Sequence, residues 1–381
     1  MEISVVEVNT DRELKQFITF PRKLYQSDKN FVFEPVSMQK EFLSKRNPFF
    51  EHSGVTYFLA KLNGKVVGRI ASIKNTIHNK LYQEKTGFFG LFESIENYEV
   101  AKLLFDKVLE THQLNGFYKI IGPTNLTTND SCGILISGFD IPPVVMMPYN
   151  KQYYDDFLVK YGFVKEIDLF SYFIGDQLLT SSFMEALFNR ISNKLTTLDI
   201  TIRTINYKRL DQEISPLCEV YNQSNKNNWG FVPLNEKEFR NTALQLKQFV
   251  PEKLVLIVEK EKQQIGFIVA LPELNQVFSH IRSGKLLPFG FLKFLWYKRK
   301  INNSRILILG VLEKYRNNGI DLVLYKKIQE NLATIGIYQG EACYDLENNL
   351  MMNSIMERIG GRRLKRYRIY KLEKQALKMN T

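Results

Sequence analysis

A chain of 381 residues, 44% hydrophobic and 13% aromatic, is long enough for two ordinary domains with real cores, which excludes disorder as its main state. Apolar runs stop well short of the roughly 18 uncharged residues that a membrane span needs, and Met1 to Asp11 is acidic and polar, so a cytoplasmic, non-secreted protein is expected. Cys132, Cys218 and Cys343 are scattered and accompanied by only 4 histidines, which leaves no raw material for a disulfide framework or a Cys/His zinc site, while a net charge of +12 favours an anionic partner: nucleic acid, a phosphate-bearing cofactor or an anionic membrane surface.

In chain order, the spacing predicts a helix near Asp11 to Tyr25, an aromatic-rich loop from Asn30 to His52, and a hairpin of Val55–Leu62 and Val66–Ile73. The hairpin turns at Asn63-Gly64, a dipeptide that accepts positive φ. A strand at Gly87–Phe92, a helix from about Asn97 to Gln113 and a strand at Tyr118–Gly122 follow. A polar loop leads to a helix at Tyr153–Tyr161 ended by Gly162, and Asp168–Ile174 reads as a strand. The second half repeats this order. It has a helix at Ser215–Asn227, strands at Leu254–Val258 and Ile265–Leu271, a buried strand at Arg305–Val311, a helix at Ile320–Leu332 and a strand at Gln339–Leu346. A helix at Leu350–Ile359 stops at Gly360-Gly361, and Arg368–Leu372 closes the chain. Two copies of one α+β unit are expected: residues 1–175 and 200–375, with 176–199 as the connection.

The sharpest local signal is the loop from Val311 to Asp321, where a buried strand gives way to an amphipathic helix. A short loop entering a helix presents unpaired backbone N–H groups and the positive end of the helix dipole, Gly319 lets the backbone approach a ligand, and Arg316 adds a charge. Arg316-Asn-Asn-Gly319-Ile320 resembles the Arg/Gln-x-x-Gly-x-Gly/Ala loop of the GCN5-related N-acetyltransferase (GNAT) superfamily. The resemblance implies tandem GNAT-like domains, each a mixed, mostly antiparallel sheet flanked by helices. It also implies an acyl-CoA donor, acetyl or longer, whose pyrophosphate Arg316, Asn317, Asn318, Gly319 and Ile320 would hold, with Val311 on a strand splayed to receive the pantetheine arm. Asp321 departs from the pattern, and a carboxylate there opposes a pyrophosphate unless it points away.

A second segment, Glu347-Asn348-Asn349 with Asn353 and Gly360-Gly361, is similar to the superfamily's closing Asn-x-x-Ala-x-x-Leu-Tyr segment. Aligned on Asn349, it puts Met356 where a tyrosine often protonates the leaving thiolate, and methionine is no acid. The first half has no Arg-x-x-Gly after Phe92, so it resembles a copy that lacks the coenzyme loop. The stretches Asn47–His52, Lys85–Gly90, Gly122–Asn125, Thr128–Asp130, Gly138–Asp140 and Asn228–Pro233 resemble a family of bacterial two-domain GNAT proteins, whose relatives are linked to N-acylation of long-chain bases in sphingolipid synthesis.

Other residues carry two readings. Asn125, Thr128, Asn129 and Asp130 either converge on a substrate amine or carboxylate, or cap their own turns. On the strand ending at Glu347, alternation puts Glu341, Cys343, Asp345 and Glu347 on one face, and Asp345 and Glu347 are the candidate bases for deprotonating an acceptor amine. Cys132, Cys343, His52 and His78 read as structural. Leu286 to Lys300 joins a dense apolar run to a basic end, as a core helix, an acyl-channel wall or a contact with an anionic membrane would. No nucleic-acid module is recognisable. The leading expectation is an acyl-CoA-dependent N-acyltransferase acting on a small-molecule or lipid amine. The alternatives are an enzyme like the aminoacyl-tRNA-dependent peptidoglycan ligases, or a degenerate GNAT-like binding module.

Overall fold

The computed structural model describes residues 2–175 and 182–374. The chain forms two units: one comprises Met1–Leu169, Phe278–Phe294 and Lys365–Thr381, the other Phe170–Val277 and Leu295–Leu364. The expected boundaries at 175 and 200 describe a linear chain, whereas two segments of the second half lie with the first unit. Each unit is α+β, with a mixed sheet flanked by helices.

In the first unit, β1 (Ile3–Glu7), β2 (Gly54–Leu62), β3 (Lys65–Lys74), β4 (Thr86–Ser94) and β5 (Lys119–Gly122) lie in that order, with the far end of β13 (Arg362–Glu373) beside β5. The β2–β3 turn carries the positive φ expected of it, 49° at Asn63 and 77° at Gly64. All neighbours are antiparallel except β4 and β5, which pair in parallel at Thr86–Phe88 with Lys119–Ile121. α1 (Asp11–Leu24) starts at a Thr10 cap and α4 (Tyr98–Gln113) at an Asn97 cap, each side chain accepting a backbone N–H of the first turn. α4 buries Val100, Leu104, Phe105 and Val108 against Phe58, Phe89 and Phe92 of the sheet, with Tyr154 and Phe157 of α5 (Tyr153–Tyr161) completing an aromatic core. The stretch from Asn30 to His52 is not the plain loop expected: it holds α2 (Val36–Phe42) and a 3-10 turn at Pro48–Glu51 capped by Asn47. α3 (Thr76–Tyr82) and β6 (Ile134–Ser137) were also too short to show a period.

In the second unit the order is β7 (Val164–Gly175, from Phe170 on), β12 (Gln339–Leu346), β11 (Asn303–Val311), β10 (Gln263–Pro272), β9 (Val255–Lys260) and β8 (Ile200–Thr204). Here β11 and β12 pair in parallel. Helices α6 (Ser182–Thr197), α7 (Leu210–Asn225), α8 (Glu236–Lys247), α11 (Ile320–Ala333) and α12 (Leu350–Arg358) surround the sheet. α8 opens on a capping box in which Asn235 and Glu238 satisfy each other's backbone N–H. Most of the expected connection is therefore a helix, α6, and 176–181 lies outside the described residues. α9 (Asn275–Phe278) and α10 (Phe289–Lys298) stand between β10 and β11.

Candidate active site

The parallel pairing of β11 with β12 covers only Asn303–Ile306 against Gln339–Ala342. Both strands deform where it stops. On β11 the register against β10 jumps from Val269↔Ile308 to Ala270↔Ile306, leaving Leu307 as a bulged extra residue. On β12, Tyr344 adopts φ +66°, a left-handed conformation that a tyrosine takes only under constraint. The strands then diverge, and Leu307–Leu309 and Cys343–Asp345 all become partly exposed between buried neighbours. Leu312 N–H donates to Ile265 O at 2.9 Å. With Leu309 opposite Ile268 and Val311 opposite Gly266, antiparallel alternation turns the amides of Leu309 and Val311 away from β10, into the gap.

Asp345 lies on the diverging part of β12. Its Oδ2 is buried without a hydrogen-bond partner, and burial pushes its carboxyl up to about 7. The left-handed Tyr344 interrupts the alternation that the sequence reading used, so Asp345 does not simply continue the row of Glu341 and Cys343; those two are neighbours, with Cys343 Sγ 3.5 Å from Glu341 Oε1. Asp345 instead acts on the phenol of Tyr325, on α11. Burial first, then the charges of Asp345 and of Asp321, hold that phenol well above its ordinary value, so it stays protonated. Tyr172 of β7, raised chiefly by burial with a small contribution from the Asp345 charge, donates to Asn353 Oδ1 at 2.8 Å and accepts from Arg363 at 3.1 Å. Tyr325 was not among the candidates, although Asp321 and Tyr325 are four residues apart and so share a helix face.

At the mouth of the gap, the loop after β11 turns through a 3-10 segment, Glu313–Tyr315, into α11. Arg316 braces it: Nε donates to Val311 O at 3.1 Å and a terminal nitrogen to Ser224 O at 2.7 Å. Asn318 donates to the carbonyls of Tyr315 and Arg316, and Asn317 takes φ +61°. Gly319 caps the helix at φ +77°, and a Cβ there would sit 2.8 Å from Ile191 Cδ1 of α6. Its glycine requirement is thus met by backbone conformation and packing on Ile191. Burial raises Asp321, and the nearby amides of Leu322 and Asp321 itself offset part of that rise.

Chain-wide comparison gives the family. No family model matches the sequence. Protein YghO of Escherichia coli (strain K12) is 35% identical over 370 residues, which is 95% of this chain and 93% of that protein. Bacterial ceramide synthase of Caulobacter vibrioides is 32% identical over 378 residues, 97% of each. The chain belongs to their family. In fold, a tandem GNAT protein from the clavulanic acid biosynthesis pathway superposes with a TM-score of 0.59 over 98% of both chains at 10% identity. A GCN5-related N-acetyltransferase from Sphaerobacter thermophilus gives 0.54, covering 97% of this chain and 95% of its own, at 11% identity. The family is built on the tandem GNAT fold.

Set in that fold, the first unit of this family member has the same bulge but no open gap. Arg69↔Glu93 and Ala71↔Gly90 leave one extra residue on β4, where Leu91 takes φ +52°. There Thr124 N–H donates to Phe89 O at 2.8 Å, and a Cβ on Gly90 would lie 2.0 Å from Thr124 O, so the chain after β5 fills the place where strands would part. Asn125 accepts from Leu91 N–H at 2.9 Å and donates to Ser131 Oγ at 2.7 Å. Asp130 accepts from the Thr127 amide and hydroxyl, and Asn129 N–H donates to Thr127 Oγ1. Asn125 thus ties its loop to β4, while Asp130 and the Asn129 amide close the turn on Thr127, and Thr128 sits in the same turn. Asn349 caps α12, accepting from Met352 N–H at 3.2 Å. Glu347 follows β12 at the turn before α12, past the open stretch. Met356 is fully buried. His52 is bonded to Ser53, and burial lowers His78, in keeping with structural roles.

Proposed function

We propose that this protein is a GNAT-type N-acyltransferase that moves an acyl group from acyl-CoA to a primary amine. The observation that carries the reading is Asp345, whose Oδ2 is buried without a hydrogen-bond partner and whose carboxyl burial pushes up to about 7, beside a strand gap with inward-facing amides. The extended gap suits a pantetheine arm, which can pair with the amides of Leu309 and Val311, and the loop from Asn317 to Ile320 offers backbone donors to phosphate. The guanidinium of Arg316 keeps donors beyond the two that brace the loop.

The donor supplies an activated thioester carbonyl. Asp345 takes a proton from the acceptor ammonium, the freed amine nitrogen bonds to the carbonyl carbon, and the carbon–sulfur bond breaks. The thiolate leaves and takes up the second proton, which the nitrogen gives up as the amide forms. Tyr325 is kept protonated near Asp345, and Met356 offers no acid at its own position. A carboxyl near 7 suits this work, because it is ionised in part at neutral pH and still basic enough to accept the proton.

The name of the Caulobacter relative, Bacterial ceramide synthase, supports a long-chain amine and a long acyl group, since a ceramide is an N-acylated long-chain base. The test is thiol release and N-acyl product from purified protein given acetyl-, octanoyl- or palmitoyl-CoA, each with a long-chain base or a short amine. Product with palmitoyl-CoA and the long-chain base is expected. Absence of thiol release above background for every pair would overturn the reading.

A further inference from the structure

The stretch from Leu286 to Lys300 is not a core helix. Toward the protein, α10 presents Gly290, where a Cβ would meet Lys285 O at 2.1 Å, together with Phe294, 6.4 Å in ring separation from Phe278, and the half-buried Tyr297. Toward solvent it presents Phe289 (74% exposed), Leu292 (62%) and Trp296 (64%), with Phe291 and Leu295, and Leu287 (76%) just ahead. At about 100° per residue these helix positions span an arc of roughly 160°, with Lys293 at one edge and Lys298 at the other. From ordinary side-chain areas the exposed apolar surface is on the order of 800 Å², above the roughly 300–600 Å² of the largest patch on a typical soluble monomer.

We propose that α10 docks this protein onto an anionic lipid surface, an inference separate from the catalytic reading. Charge selects that occupant. The sequence has no Asp or Glu between Glu273 and Glu313, while the exposed Arg282, Lys285, Lys293, Lys298, Arg299 and Lys300 fall in the interval. Two copies of this chain meeting face to face would set like charges against each other. A bilayer with anionic headgroups accepts the apolar arc and pairs with the lysines at its edges, whose stems lie along apolar surface while their ammonium groups reach the phosphates. Trp296 and Tyr297, with Lys300 Nζ 5.5 Å from each ring, are amphipathic groups of the kind that settle at headgroup depth. No helix among the described residues is long and apolar enough to cross a membrane, so the contact is peripheral.

Co-sedimentation of the full chain with phosphatidylcholine vesicles, with and without phosphatidylglycerol, tests this directly. Binding is expected with phosphatidylglycerol, falling with salt. K293E/K298E should weaken it by roughly 25-fold or more, about fivefold per lysine near an anionic surface. F289S/L292S/W296S should abolish it, and Trp296 emission, read in a W229F background, should shift to the blue on vesicles. Wild-type protein that ignores both vesicle types, or a triple variant that binds as well as wild type, would overturn the proposal. So would self-association abolished by the triple variant in the absence of lipid binding, which would assign the face to a second copy. The readout is lipid binding and not turnover, so its failure leaves the catalytic reading standing.

Discussion

Replacing Asp345 by Asn removes a buried charge and leaves the shape. Moving a carboxyl from its ordinary 3.8 to about 7 corresponds to about 4 kcal/mol of disfavoured ionisation. Solvent reaches part of this residue, so roughly half of that, about 2 kcal/mol, is the expected penalty in the wild type. A carboxyl whose folded pKa is raised carries no penalty below its unfolded value; the penalty grows as pH rises from about 3.8 and levels off above about 7. Asp345→Asn should therefore match the wild type in stability near pH 4 and exceed it by about 2 kcal/mol near pH 8, read by urea denaturation across that range. The same variant should lose roughly 100-fold or more in acyl transfer, while wild-type kcat/KM climbs with pH through about 7. A stability difference independent of pH would refute the burial argument, and a fully active variant would refute the base assignment.

Asp321→Asn should tighten acyl-CoA binding about fivefold by calorimetry, because a negative charge is removed from the start of the helix that would meet the pyrophosphate; weaker binding would show that the carboxylate helps. Gly319→Ala forces a side chain into a left-handed position against Ile191 and should cost about 2 kcal/mol, part of it restored in a double variant with Ile191→Ala, both read by denaturation. Asn125→Ala strands the Leu91 amide and should destabilise by about 1–2 kcal/mol with KM unchanged, whereas a raised KM at unchanged stability would return Asn125 to the substrate site. Arg368→Ala leaves Asp168, buried and held low through its hydrogen bonds to Arg368 and Lys165, short of its main partner. About 3 kcal/mol should be lost at neutral pH, and the deficit should shrink below the ordinary Asp range as the carboxyl protonates in both proteins.

Periodicity and turn chemistry alone determined the order of the longer elements shared by both halves, the duplicated unit, the Asn63-Gly64 hairpin and the placement of the Val311–Asp321 loop between strand and helix, since each is a local preference written in consecutive residues. The alternating run from Arg362 to Lys371 likewise predicts the half-buried strand that β13 forms. Short elements such as α2, α3 and β6 gave too few residues for a period to emerge. The site depended on long-range geometry. Only tertiary structure could place a bulge at Leu307 opposite a left-handed Tyr344, and those two distortions open the gap. No local preference asks a tyrosine for positive φ; packing imposes it. The same holds for the fate of each polar candidate. In sequence Asn125, Asn129 and Asp130 read as ligands or as caps of their own turns, and only the structure gives the bonds of Asn125 and Asp130 to backbone and neighbouring side chains. Asp345 differs because the fold buries an oxygen and offers it no donor, a condition set by surroundings drawn from distant parts of the chain.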